Sequence, residues 1–312
     1  MWFKNLQLFR FTKPFELPAE TLDEVLAKRP FRTCGPLELA SAGWSAPLGG
    51  DATALVHSTN GYLMLCAKRE EKILPPAVIN ELLAERVAEI EESQMRKIRR
   101  KEKDEMRDNL IAELLPRAFS RSARTYAYID AKEGWLIVDS ASRKRAEELV
   151  ELLRKTIGTL PVVPPGSRER PGAVLTDWLR SGNCGDGFDL EDECELRGAE
   201  EDGGVVRCRK MDLGSNEIQI HLEAGKEAAR VAVTWRDRIS LVLSDDFSIK
   251  RLRFLDLVQD EADAAESEDP AARFDTDFAI MSLELARLLP ELFDAFGGVA
   301  DEEDAPVRQA AA

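Results

Sequence analysis

Histidine is nearly absent from the chain: His57 and His221 are the only two in 312 residues. That scarcity argues against a classical zinc module, which draws on several Cys and His at short spacings. Nothing in the sequence sets a nucleophile beside either histidine, so both read as structural or surface residues. The five cysteines, Cys34, Cys66, Cys184, Cys194 and Cys208, are odd in number and widely spread. They read as reduced packing thiols of a cytoplasmic protein rather than as a disulfide framework. No apolar run is long enough to span a bilayer. The opening MWFKNLQLFRFTKPF lacks the continuous hydrophobic segment of a secretion signal. Walker, dinucleotide-binding, HExxH and G-x-S-x-G patterns are missing as well. Gly203-Gly204 lacks the flanking glycine spacing of a phosphate loop. Asp245 and Asp246 are adjacent, so in a strand they would face opposite sides and could not converge on a metal. The expectation is a non-enzymatic protein with no catalytic, cofactor-binding or metal-binding residues.

What the chain does have is charge, unevenly placed. With 58 acids against 43 Lys and Arg, the net charge is -15. Yet residues 94–107, QMRKIRRKEKDEMR, hold seven basic residues and three acids. They include Arg96, Lys97, Arg99, Arg100, Lys101 and Lys103. LPRAFSRSAR at 115–124 adds Arg117, Arg121 and Arg124 with no acid. These three lie at three- and four-residue intervals and would share one face if helical. Arg143, Lys144 and Arg145 open an expected helix, an awkward place for cations unless an anion or partner lies nearby. Arg207, Arg209 and Lys210 form a further patch, followed by Met211. Clustered cations in an acidic chain suit contact with a polyanion, because phosphate binding depends on local rather than total charge. Ordinary solvated surface charge is the alternative for each cluster. Phe119, between Arg117 and Arg121, suits core burial, a subunit interface or apolar contact with nucleic acid.

The periodicity predicts an α+β organisation rather than a regular βαβ series. Strand patterns cover 2–11, 125–130, 135–139, 229–235 and 238–244, with 247–257 extending the sheet and short strands within 193–212. Asn60-Gly61 predicts a type I′ hairpin between 52–57 and 61–68. Helices are expected at 19–28, 142–156, 174–182 and 278–293, and residues 34–50 read as connection. An apolar stripe from Val78 through Met95 and Ile98 to Leu115 is too long for an ordinary globular helix. It predicts a break or a projecting helical hairpin. The resulting divisions are 1–74, a basic helical region 75–124, 125–165, a finger-like region 166–228, and a sheet portion 229–258. An acidic linker at 259–270 and a helix with tail at 271–312 complete the chain.

Ordered segments across the chain carry a sharper signal: GWSAPLG at 43–49, KREEKILPPAVI at 68–79, LLPRAFSR at 114–121, LTDWLRSG at 175–182 and RFDTDFAIM at 273–281. VDSASRKRAEELVELLRKTIG, from residue 138, belongs with them. On these the sequence resembles the bacterial recombination-associated protein RdgC family over nearly its whole length. The resemblance implies mixed or antiparallel sheets with long helices, two subunits closed into a ring, and duplex DNA passing through a positively lined centre. It implies sequence-independent binding, with single-stranded DNA as a second partner, restriction of a recombinase's access to DNA, and a nucleoid-associated place in the cytoplasm. By the same resemblance Phe119 helps close the ring, and Lys210 and Met211 lie at a second contact between subunits. Met211 stands where the family can have Gln, and a thioether cannot copy an amide's paired donor and acceptor. A DNA-independent interaction protein, contacting a recombination factor through its acidic surface, is the alternative.

Overall fold

The computed structural model describes residues 1–198, 200, 203–264 and 269–300. The chain begins with β1 (Leu6–Phe11), α1 (Ala19–Leu26), β2 (Ala40–Trp44), β3 (Val56–Thr59) and β4 (Tyr62–Lys72). A helical pair follows, α2 (Pro76–Gln94) and α3 (Arg100–Leu114), closed by one 3-10 turn at Leu115–Arg117. Next come β5 (Ser120–Asp130), β6 (Trp135–Asp139), α4 (Arg143–Ile157), β7 (Val162–Val163) and α5 (Pro171–Ser181). The remainder is β8 (Phe188–Gly198), β9 (Val205–Arg209), α6 (Asn216–Glu223), β10 (Lys226–Trp235), β11 (Ile239–Ser244), β12 (Ile249–Phe254), α7 (Asp256–Ala264) and α8 (Pro270–Asp294).

Among the described residues twelve strands make one sheet, ordered β2-β4-β5-β6-β1-β12-β11-β10-β8-β9, with β3 added to β4 and β7 to β1. Every named strand pair is antiparallel. Alternation within the strands sorts side chains between two cores. Leu8, Met64, Tyr128 and Ile137 face the larger core, which continues under Val231, Leu241 and Ile249 to α5, α6 and α8. Phe9, Leu65, Ile129 and Val138 face the other way, against Leu22 and Leu26 of α1 and Leu149 and Leu153 of α4. Each fully buried Leu or Phe in these layers contributes about 1.5–3 kcal/mol relative to exposure.

Several expectations hold and several need correction. Asn60 and Gly61 both take positive φ, 53° and 84°, as a type I′ turn requires. The long helical stretch does break, at Met95, which is left-handed with φ 53°. Met95 therefore ends the stripe instead of continuing it. Beyond it α3 runs back along α2, pinned by Arg86 to Glu113 at 2.7 Å and Arg107 to Asn80 at 2.8 Å. Residues 34–50 are not all connection, because β2 pairs with β4 from Ala40↔Glu71 to Trp44↔Ala67. A Cβ on Gly43 would lie 2.5 Å from the Pro30 carbonyl oxygen, so glycine here permits close backbone approach. The acidic stretch from 259 is helical through Ala264, because Val258 is fully buried and Arg238 holds Glu261 at 2.9 Å. Residues 265–268 of the expected linker and the tail from 301 lie outside the described residues. No helix among the described residues is long and apolar enough to cross a membrane.

Candidate nucleic-acid interface

The helical hairpin carries its cations at its far end. Arg96, Lys97 and Arg99 form the turn between the helices, and Arg100, Lys101 and Lys103 lie in the opening turns of α3. All six are exposed. Arg96 is spent on its own scaffold: its guanidinium forks onto Glu102 at 2.8 and 2.5 Å and reaches Gln94 at 2.7 Å. That hydrogen bond holds the Glu102 carboxyl below its usual range. Lys97, Arg99, Arg100, Lys101 and Lys103 form no ion pair among the described residues. They also crowd the positive end of the α3 dipole, which concentrates potential at the tip. A 19-residue α2 is about 28 Å long, at about 1.5 Å per residue, and separates that tip from the base of the hairpin.

At the base of the hairpin the basic residues separate. Arg117 sits exposed in the 3-10 turn. Arg121 and Arg124 are strand residues of β5, paired with Glu71 and Lys68 of β4, so an odd offset sends them to opposite faces. The expectation of a shared helical face is thus overturned, because pairing with β4 overrides the local spacing. Arg121 instead lines a groove of about 660 Å³ between β4–β5 and α4, with Arg69, Lys144, Arg145, Glu148 and Lys155 among its walls. Lys68, paired with Arg124, turns its ammonium to the other face, 4.3 Å from the centre of the Phe31 ring. Arg69 is matched by Glu148 at 3.2 Å and Lys155 by Glu151 at 3.2 Å. Arg121, Lys144 and Arg145 form no ion pair among the described residues. Ser142 caps α4 through the Arg145 backbone N–H, and Arg143 turns to Glu147 at 2.9 Å. The groove therefore brings Arg121 and Lys144 to one place, and it adds Arg69 and Lys155, which composition alone did not single out. The dense charge of KREEK at 68–72 is the sequence signal for Arg69.

A third cationic surface lies on β8, β9, β10 and β12. Glu195, with a side chain 7% exposed, accepts from Arg197 at 3.1 and 2.7 Å, Arg207 at 2.9 Å and Arg230 at 3.2 Å. Burial alone would raise the Glu195 pKa, but hydrogen bonds from Arg197 and Arg207 outweigh it and hold the carboxyl below its usual range. Glu193, two residues away on the same face, pairs with Arg209 at 3.5 Å and with Arg251. Five arginines thus surround two carboxylates. The Nε of Arg230 and the Oγ of Ser244, which stand opposite each other across β10 and β11, are buried without a partner among the described residues. Lys210 follows β9 in a left-handed conformation, φ 54°, and is exposed. Met211 instead packs half-buried against the larger core and donates its N–H to the Asp192 carbonyl. Arg197, Arg230 and Arg251 were not apparent in sequence, because they converge only through strand register.

Phe119 is 85% exposed at the base of the hairpin. Core burial, one of its three expected roles, is therefore excluded within the subunit. Exposed Ile73 adjoins it through a backbone hydrogen bond, and exposed Leu39 lies one strand away.

The residues considered for chemistry are otherwise engaged. His57 Nε2 lies 2.9 Å from Asp275 and 3.2 Å from Thr59, tying β3 to α8. Asp246 accepts the Ser248 N–H in the turn between β11 and β12. Burial pushes the Cys184 and Cys194 thiols up to about 12, which suppresses thiolate reactivity. No group of three or more His, Cys, Asp or Glu among the described residues could hold a metal.

These features define a class: an α+β protein built on one extended antiparallel sheet, with a cation-tipped helical hairpin and arginine-rich open surfaces. The family model described as "Putative exonuclease, RdgC" matches residues 1–299. Proteins named "Recombination-associated protein RdgC" from Tolumonas auensis and Aeromonas hydrophila are each 47% identical over 298 residues. A protein of that name from Yersinia pestis is 45% identical over 300 residues. The matches cover 96% of this chain and 99%, 98% and 99% of the respective relatives. The chain belongs to the RdgC family.

Proposed function

We propose that the protein binds duplex DNA without regard to sequence, as a homodimer that encircles it, and thereby restricts a recombinase's access. The observation that carries this reading is the set of unpaired cations at the hairpin tip, in a chain of net charge -15. Cations spent on internal ion pairs would serve the fold. Lys97, Arg99, Arg100, Lys101 and Lys103 are available to phosphate instead. Acids elsewhere on the surface disfavour adventitious contacts, so binding is confined to where the cations lie. The relatives' shared name, recombination-associated, supports the biological setting. Exposed Phe119 with Leu39 and Ile73 supports self-association, and two-fold closure would present each cationic surface twice. Lys210 and Met211 belong to a second subunit contact in this reading, with Met211 supporting the turn from beneath. Arg124, on the opposite face of β5 from Arg121, contacts DNA only if the ring closes on that side.

Binding by occlusion needs no bond to be broken, and the family description's word "exonuclease" names the competing chemistry. Titration of several unrelated duplexes across a salt series, with DNA length monitored in magnesium, separates the two. Similar affinities that fall steeply with salt, on intact DNA, are expected. Shortened DNA would establish a nuclease, and absence of binding at low salt would reject the DNA-binding reading.

A further inference from the structure

The turn between α2 and α3 presents an unusual division of labour. Two polar side chains hold it: Arg96 clamps Gln94 and Glu102, and Glu91 accepts the Ile98 N–H at 2.9 Å. Its most apolar exposed side chain points out, with Met95 90% exposed at the apex. Met95 also holds the left-handed conformation that Gly or Asn adopts at lower cost, about 1–2 kcal/mol for other residues. A turn fixed by four side-chain hydrogen bonds thus displays a flexible, polarisable thioether to solvent at the end of α2. The residues that follow, Lys97, Arg99, Arg100 and Lys101, form no ion pair among the described residues.

An exposed apolar tip without charge would suit a protein groove. Ringed by cations, it suits a ligand that offers anionic groups on either side of a stacked apolar interior, which is the chemistry of a nucleic-acid duplex. Architectural DNA-binding proteins use apolar wedges in this way, offsetting a few kcal/mol of lost stacking with backbone contacts. We propose that Met95 inserts between base pairs of bound duplex DNA while Lys97, Arg99 and Arg100 hold the flanking phosphates. This deepens the DNA-binding reading and rests on it. The hairpin then acts as a probe of how readily a base step unstacks, so occupancy favours mismatched steps over paired ones, while duplexes of unrelated sequence, each averaging many steps, bind alike.

The test uses the full-length protein and duplexes carrying 2-aminopurine at successive steps, with the anisotropy of a terminal dye read in the same sample. Wild type is expected to raise 2-aminopurine fluorescence as anisotropy rises. Met95→Ala is expected to keep binding and its salt slope but lose the fluorescence rise, and Met95→Leu to restore it. Binding by wild type with no fluorescence rise, or an undiminished rise with Met95→Ala, overturns the wedge and leaves the DNA-binding reading intact. Unchanged anisotropy at low salt removes both.

Discussion

Ile73 donates its backbone N–H to the carbonyl of Phe119 at 2.7 Å, closing the neck from which the helical hairpin springs. One residue earlier, the Lys72 N–H reaches the Leu39 carbonyl at 2.8 Å. Ile73 and Phe119 are thereby neighbours, both apolar and exposed, 45% and 85% accessible, with Leu39, 58% accessible, one strand away. Burying one such side chain in a dimer contributes about 1.5–3 kcal/mol. A two-fold dimer loses this contribution at both copies, so Phe119→Ala is expected to weaken self-association by about 100–10,000-fold, at about 1.4 kcal/mol per decade. It should leave the subunit's melting temperature unchanged, because Phe119 takes no part in either core. Sedimentation over a concentration series checks this, and an unaltered dimer would remove Phe119 from the interface.

The hairpin tip offers a separate measurement. Replacing Lys97, Arg99, Arg100 and Lys101 with Ala, while keeping Arg96 to lock the turn, should weaken duplex binding equally across sequences. Each lost phosphate contact should flatten the dependence of log affinity on log salt by about 0.9. Equal slopes for wild type and variant would assign these cations to solvent.

Glu195 is the anion around which three arginines are organised. Glu195→Ala would leave Arg230, itself half-buried, without its carboxylate, while Arg197 and Arg207 turn to water. The expected loss is about 1–3 kcal/mol, at the lower end because the latter two are exposed. Urea denaturation gives the value. A midpoint equal to wild type would mean that the arginine face holds itself without its central anion.

Asp139 predicts a pH effect. Its Oδ1 accepts the backbone N–H groups of Lys4 and Asn5 at 3.1 and 3.0 Å, yet burial raises its carboxyl above the ordinary range. A carboxyl raised on folding binds its proton more tightly in the folded chain. Its stabilising contribution is complete below the unfolded value and lost as pH rises through the raised one. Asp139→Asn keeps an oxygen for both N–H groups and removes the buried charge. The variant should melt above wild type at neutral pH, and the gap should close as pH falls below about 3.9. A gap constant with pH would exclude the charge as its cause.

Local chemistry made part of this fold legible. Asn60-Gly61 specified its turn because few other pairs accept two positive φ angles, and the overlong apolar stripe announced a helical hairpin. β2 was hidden by Gly43, whose missing side chain serves close packing against Pro30 but reads as a loop. α6 escaped notice because Ile218, Ile220 and Leu222 alternate like a strand, whereas the helix buries Ile218 and Leu222 and leaves Ile220 exposed. Among the candidate contacts, the hairpin tip was visible because its cations are consecutive. The groove and the Glu195 cluster were not, since Arg121 meets Lys144, and Arg197 meets Arg207 and Arg230, only after strands distant in sequence have paired. Arg121 and Arg124 show the same limit: their spacing suits a helix, but the eleven paired positions between β4 and β5 decide which way each points.

The position of β1 in the sheet order has a consequence for biogenesis. Leu6 pairs with Asp139 on one side and Ile249 on the other. During synthesis the strands through β6 can assemble once residue 139 has emerged; β7 then covers the Arg10–Phe11 end of β1's far side, and its Leu6 end stays unsatisfied for roughly another hundred residues. The half-sheet that exists in that interval presents an open edge on its oldest strand. Joining the two halves is a long-range closure of the kind that slows folding, and β12 is the strand that completes it.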